Sequence, residues 1–309
     1  MILICDLGLG LMKQFTILEK STEKDDFIAD SSLSKPMGEG CNLSRVLLSF
    51  GESHSLLGFA GTLAHAEIMD RLGDDLINLN LIPIKDRSSE AIYINFLDKK
   101  IRIQDKQAKL TREEIVNFYA DYKEGLNLNE LVCLVGEHPL NIPEDMVFNI
   151  VDLSAKWGRK MLLAVKDKSF LNALDAVPYT LILSKKVLED ITNLSLDFEN
   201  EIIKACRYLF DKGIKHIIID NTENGLIILN EEYGYRLSVA FEDKDRRLSY
   251  AGVLGGFALS INRRYDMETL CKLSYACGLV NFEYFDMEFG ATDIKALMKT
   301  IELTRFNNI

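Results

Sequence analysis

From residue 111 onward, short apolar runs alternate with helix-patterned segments, and nothing else in this chain restricts its fold so tightly. The runs Leu131–Val135, Met161–Val165, Thr180–Leu183, His216–Asp220 and Gly225–Leu229 are too short for buried helices. They are also almost continuously apolar, as strands covered on both faces must be. Between and beyond them lie helix patterns near Thr111–Tyr122, Pro143–Gly158, Leu196–Lys212 and Met267–Phe282. In the last, Leu270, Leu273, Ala276, Cys277 and Val280 recur at helical spacing and form one buried stripe. This alternation predicts an α/β fold: a doubly wound, mostly parallel sheet with helices on both faces. Met1–Leu7 is apolar but lacks a preceding positive charge, contains Asp6 and precedes Gly8 and Gly10. It is expected to be a buried first strand rather than a signal peptide.

Two stretches break the rhythm. Met12–Ser34 carries Phe15, Ile17, Phe27 and Ile28 among Lys, Glu and Asp. Glu90–Gln104 alternates more cleanly, with Ile92, Ile94 and Phe96, then Ile101 and Ile103 across a polar Asp98-Lys99-Lys100 turn. Both patterns predict antiparallel ribbons with one solvated face.

Composition narrows the function classes. The 309 residues suffice for one large α/β domain with a smaller appendage, and 48% hydrophobic with 27% charged residues is a globular balance. A formal charge of −11 leaves no basic stripe to displace counterions, which argues against a nucleic-acid partner. The six cysteines at 5, 41, 133, 206, 271 and 277 show no CxxC spacing, and the four histidines form no HxH or HExxH arrangement. Reduced, buried thiols and a cytosolic setting are expected, with no zinc site. No run of about twenty apolar residues is present to span a membrane.

Two glycine-bearing segments carry the chemistry. The first is Gly38-Glu39-Gly40-Cys41-Asn42-Leu43-Ser44-Arg45-Val46-Leu47-Leu48, followed by Phe50-Gly51 and Gly58-Phe59-Ala60-Gly61. Leu43, Val46, Leu47 and Phe50 share a helix face, Asn42 suits the N-cap, and Gly51 suits the C-terminal stop. Gly38 and Gly40 would let backbone amides approach a polar ligand. The second is Ser249-Tyr250-Ala251-Gly252-Val253-Leu254-Gly255-Gly256-Phe257-Ala258. Its first amides sit where a helix N-terminus can stabilise an anion. Gly8 and Gly10 do not make a dinucleotide fingerprint: Lys13 holds the third glycine's place and no helix pattern follows.

Together these segments resemble the signatures of the PfkB (ribokinase-like) carbohydrate kinases, and the resemblance runs in order along nearly the whole chain. It includes a Gly136-x-x-Pro139 loop, and lengths and the Gly38–Gly61 block look most like the 1-phosphofructokinase and tagatose-6-phosphate kinase branch. The resemblance implies ATP and Mg2+ as cofactors, a sugar or sugar phosphate as acceptor and a β-sheet lid over the sugar site. The lid would be discontinuous, residues 12–34 and 90–104, over a core of 1–11, 35–89 and 105–309. Family members pair their lids, so a homodimer is expected. Gly38, Glu39, Gly40 and Asn42 would form the sugar site, Ala251, Gly252 and Val253 the anion hole, and Thr222 and Gly225 the nucleotide loop.

Several family positions depart from the pattern. Val253 stands where the family has the Asp that takes the sugar's proton, and loss of a general base costs about 10²–10⁴ in rate. Tyr250 replaces the motif's first glycine, and Asp243 and Asp245 lie too early to substitute. Glu39 stands where phosphosugar kinases usually carry Lys, and its repulsion of a phosphate is on the order of 1 kcal/mol. The family's Asn-Pro-x-x-Asp after the first strand is absent. Lys185 and Leu188 occupy its Asn-x-x-Glu, with Glu189 one place off. Glu90-Ala91-Ile92-Tyr93-Ile94-Asn95 lacks the Arg before Ile-Asn. Two function classes follow: a catalytically silent relative that binds a sugar, nucleotide or protein partner, and a working sugar or phosphosugar kinase with a relocated base. A structural paralogue without a small ligand is the third.

Overall fold

The computed structural model describes residues 1–18, 27–73, 76–97, 99–166, 168–221, 224–239, 248–280 and 289–307. Among them, ten strands form a main sheet and four a smaller one. Across the main sheet the order is Glu302–Asn307, Tyr233–Ser238, Leu226–Leu229, His216–Asp220, Thr180–Ser184, Lys160–Val165, Leu131–Val135, Ile2–Asp6, His54–Gly61 and Ile77–Ile84. From His216–Asp220 to Ile77–Ile84 all neighbours are parallel; the other three strands add an antiparallel edge.

Period-two side-chain alternation divides the core. Ile2, Ile4 and Cys133 face one side, where they pack with the helices Glu39–Ser49, Thr62–Leu72, Tyr250–Asn262 and Met267–Leu279. Leu3, Cys5, Val132 and Leu134 face the other, against Arg112–Leu128, Met146–Lys156, Lys185–Thr192 and Glu199–Asp211. The sheet is therefore doubly wound, as the alternation predicted. The expected strands hold to within a residue. The Thr111 helix runs on to Leu128 and begins with a capping box: Glu114 N–H donates to Thr111 Oγ1, and Thr111 N–H to Glu114 Oε2. Part of the expected Met267–Phe282 helix, its last two residues, lies outside the described residues.

The two irregular stretches do share one sheet, in the order Ser31–Met37, Gly10–Ile17, Ser89–Phe96, Lys99–Gln104. Gly10–Ile17 and Ser89–Phe96 run parallel, not as a simple antiparallel pair, because two separate insertions meet there. Gly10, Leu11 and residues 35–37, expected in the body, pair within this sheet. One face carries Met12, Ala91, Tyr93, Arg102 and Gln104; the other carries Lys13, Phe15, Ile92, Ile94, Ile101 and Ile103. No described helix is long and apolar enough to cross a membrane, and all six cysteines are buried and unbridged.

Candidate active site

The carboxyl ends of the parallel strands collect the polar groups, where open α/β sheets bind ligands. Asp6 ends its strand, Gly136 follows Leu131–Val135, Lys166 follows Lys160–Val165, Ser184 ends Thr180–Ser184, and Asp220 ends His216–Asp220. A cleft of about 530 Å³, its open mouth included, lies between this edge and the small sheet. Gly8, Gly38, Glu39, Asn42, Arg45 and Gly136 line it from the body; Met12, Tyr93, Arg102 and Gln104 line it from the small sheet.

The first glycine motif lies on the cleft as expected, but its local roles differ. The helix starts at Glu39, so Gly38, at φ +146°, is the N-cap. Asn42 is one turn inside, its amide bonded to the Gly38 carbonyl, and its side chain accepts from Arg45. The Gly40 amide does not point at a ligand; it donates to Asp6 Oδ2 at 2.6 Å. Glu39 forms an ion pair with Lys166, a cation that sequence reasoning missed. The paired lysine offsets much of the repulsion that Glu39 alone would exert on an anion. Glu39 Oε2 is buried without a hydrogen-bond partner.

Two guanidinium groups face the same cleft. Arg45 donates to Asn42 Oδ1 at 3.3 Å and to the Pro36 carbonyl at 3.2 Å; burial pulls its guanidinium down from the ordinary arginine value. Arg102 donates to Gln104 Oε1 at 2.6 Å and lies over the Tyr93 ring. Among the described residues neither pairs with a carboxylate, so both are disposed to take an anion. Neither was singled out from the sequence. They stand 57 positions apart, and only the folding of the small sheet over the body brings them together.

At the second motif the register matters. Ser249 caps the helix Tyr250–Asn262, its Oγ accepting the Gly252 amide at 3.1 Å. The Val253 amide enters the helix ladder through the Ser249 carbonyl at 3.0 Å. Of the three expected anion-hole amides, Gly252 and Val253 are thus engaged, and that of Ala251 stays in the uncommitted first turn. Val253 does not face the cleft. Its side chain is fully buried in the core, where a Cβ at Gly278 would stand 2.3 Å from Cγ2. The side chain at the helix start is Tyr250, whose hydroxyl donates to Asp220 Oδ2 at 3.1 Å. Burial, then the Asp220 charge, pushes its phenol well above the ordinary tyrosine value. Gly225 makes a close approach to the Leu237 carbonyl at φ +89°, which explains its survival as glycine. Thr222, Asp243 and Asp245 lie outside the described residues.

A profile described as the pfkB family carbohydrate kinase matches residues 19–289. The chain belongs to that family. Among its relatives, the 1-phosphofructokinase of Bacillus subtilis (strain 168) is 20% identical over 275 residues, covering 87% of this chain and 88% of the relative. The pfkB-family fold is shared with solved structures. Phosphofructokinase-2 from Escherichia coli in complex with fructose-6-phosphate superposes with a TM-score of 0.83 at 15% identity, covering 96% of this chain and 98% of that one. Arabidopsis thaliana ribokinase complexed with ribose and ATP superposes with a TM-score of 0.69 at 14% identity, over 96% and 98% of the chains. The architecture is ribokinase-like.

Proposed function

We propose that this pfkB-family protein binds a sugar phosphate in the cleft between the main and small sheets and transfers phosphoryl groups weakly or not at all. The observation that carries the binding half is the placement of Arg45 and Arg102 on the two walls of one cleft, without carboxylate partners among the described residues. A planar guanidinium on each wall suits a phosphate oxygen pair. The small sheet, built from Gly10–Ile17, Ser31–Met37, Ser89–Phe96 and Lys99–Gln104, then acts as the lid.

The impaired half rests on the helix start. Tyr250 stands at the start of the Tyr250–Asn262 helix with its hydroxyl tied to Asp220, and Val253 carries no proton acceptor. ATP and Mg2+ are the family's cofactors; no three His, Cys, Asp or Glu side chains among the described residues are grouped to hold a metal ion by themselves, so Mg2+ would be held jointly with the nucleotide's phosphates. Lys185, which opens the helix after Ser184 and pairs with Glu189, stands where the family's pattern has a polar Asn.

A second reading keeps the chain an active sugar-phosphate kinase with a relocated base. The observation favouring it is Glu39, a carboxylate on the cleft whose Oε2 has no partner. One experiment separates the two. Calorimetry with fructose 6-phosphate, fructose 1-phosphate and fructose is paired with a coupled assay of ATP turnover. The first reading expects a sugar phosphate to bind, free fructose not to, and Arg102→Ala to weaken binding at least about tenfold. Turnover at a family-typical rate, abolished by Glu39→Gln with little change in KM, would establish the second reading instead.

The outward face of the lid supports a homodimer. Phe15, Ile92, Ile94, Ile101 and Ile103 form cross-strand rows there, and Ile101 and Ile103 are about half exposed, at 46% and 56%. Such a face calls for a cover, and a second copy provides a matching one.

A further inference from the structure

Asp6 is the one carboxylate of the first strand, and it is completely buried. Its Oδ1 accepts the Gly8 amide at 2.8 Å and its Oδ2 the Gly40 amide at 2.6 Å. Three further contacts show how closely the chain wraps it. A Cβ at Gly38 would stand 2.5 Å from Oδ2, one at Gly40 would stand 2.6 Å from the Asp6 Cβ, and one at Gly136 would stand 2.2 Å from Oδ1. Gly8, Gly38 and Gly136 all line the cleft. The glycines are therefore required by the carboxyl they surround, and the carboxyl sets where they sit.

We propose that Asp6 is the positioning residue of this cleft, its carboxylate holding the Gly38–Gly40 and Gly136 turns in the shape that a ligand meets. The inference rests on the cleft being the ligand site. An ionised carboxylate accepts both amides, whereas a protonated one must give part of one oxygen to its own O–H, so the Gly8 and Gly40 contacts cannot both persist at full strength.

The charged and titratable groups that act on Asp6 come from several elements. Glu39 and Cys41 lie on the Glu39–Ser49 helix, Cys5 on its own strand, and Lys166 beyond Lys160–Val165. Burial pushes the Asp6 carboxyl up, to about 7. The Gly8 and Gly40 amides pull it back down, Glu39 raises it and Lys166 lowers it. Both thiols are held neutral in this range, Cys41 at about 12 and Cys5 well above the ordinary thiol value. The turns should thus change shape across neutral pH.

The test is an NMR titration of the full-length chain from pH 5 to 9. It follows the Asp6 carboxyl carbon and the Gly8 and Gly40 amides, alongside fructose 6-phosphate binding at one fixed pH. The expected result is a single shared midpoint within about one unit of 7, absent from both amides in Asp6→Asn. That variant sets an NH2 group against a backbone N–H, and should bind the probe at least about tenfold more weakly. If Asp6→Asn does not fold, the shared midpoint in the unmodified chain decides. Amides that stay flat while the carboxyl titrates would overturn the inference, as would an Asn variant that binds like the parent. Failure of the parent to bind any sugar phosphate would instead defeat the proposed function, leaving the amide titration to judge Asp6.

Discussion

The Tyr250 hydroxyl donates to Asp220 Oδ2 at 3.1 Å, joining the start of an apolar helix to the end of the strand His216–Asp220. The bond fixes a large ring at the start of that helix, where the Ala251 amide remains uncommitted. Tyr250 is 9% exposed, so the ring is packed as well as bonded.

Tyr250→Gly therefore opens the helix start. We expect ATP affinity to rise at least about tenfold over the parent, measured by calorimetry, because the uncommitted Ala251 amide becomes reachable. An unchanged affinity would mean that the ring is not the obstacle.

Val253→Asp is expected to damage the fold rather than restore catalysis. Val253 is fully buried against the Met267–Leu279 helix, and an unpaired carboxylate there costs about 3–5 kcal/mol. A urea midpoint equal to the parent's would show that the carboxylate reaches solvent or a partner, and with it the cleft.

These two residues mark where the sequence stops being informative. The strand Leu131–Val135 was readable because a short apolar run between helix patterns has one sensible placement. The helix at Tyr250–Asn262 was readable too, but its rotation was not, because every residue from Tyr250 to Ser260 is buried and no polar face betrays it. A motif laid along it can slip by one turn without any visible penalty, which moves the focus from Val253 to Tyr250. Asp6 carried a weak signal, an acid ending an apolar strand beside two glycines. Its meaning depended on Gly40 and Gly136, which lie 34 and 130 positions away and approach only through the parallel sheet.

Placing charge on the outer face of the small sheet should dissolve a lid-to-lid dimer. Ile94 and Ile101 are cross-strand partners, and Ile94→Lys with Ile101→Lys sets two cations opposite each other on both copies. Light scattering should give a dimer for the parent and a monomer for the variant, with sugar-phosphate binding between Arg45 and the inner-face Arg102 retained. A monomeric parent over a wide concentration range would remove the dimer.

Two buried groups should give the stability a distinctive pH profile. Asp6 is raised from 3.8 to about 7, mainly by burial, so its contribution is full below about 4 and lost as pH rises to about 7. His216 is lowered from 6.5 to about 4, by burial first and then by Lys160 and Lys215. Its contribution is full above about 6.5 and lost as pH falls toward 4. Between pH 4 and 6.5 the native state holds an extra proton on Asp6 and lacks one on His216, so the two slopes oppose each other at about 1.4 kcal/mol per unit each. The parent should therefore show a nearly flat urea midpoint there, from these two groups. Asp6→Asn should make stability rise with pH across that window, and His216→Phe should make it fall. Matching slopes in both variants would refute the assignment, because the two groups would then not be titrating in opposite directions.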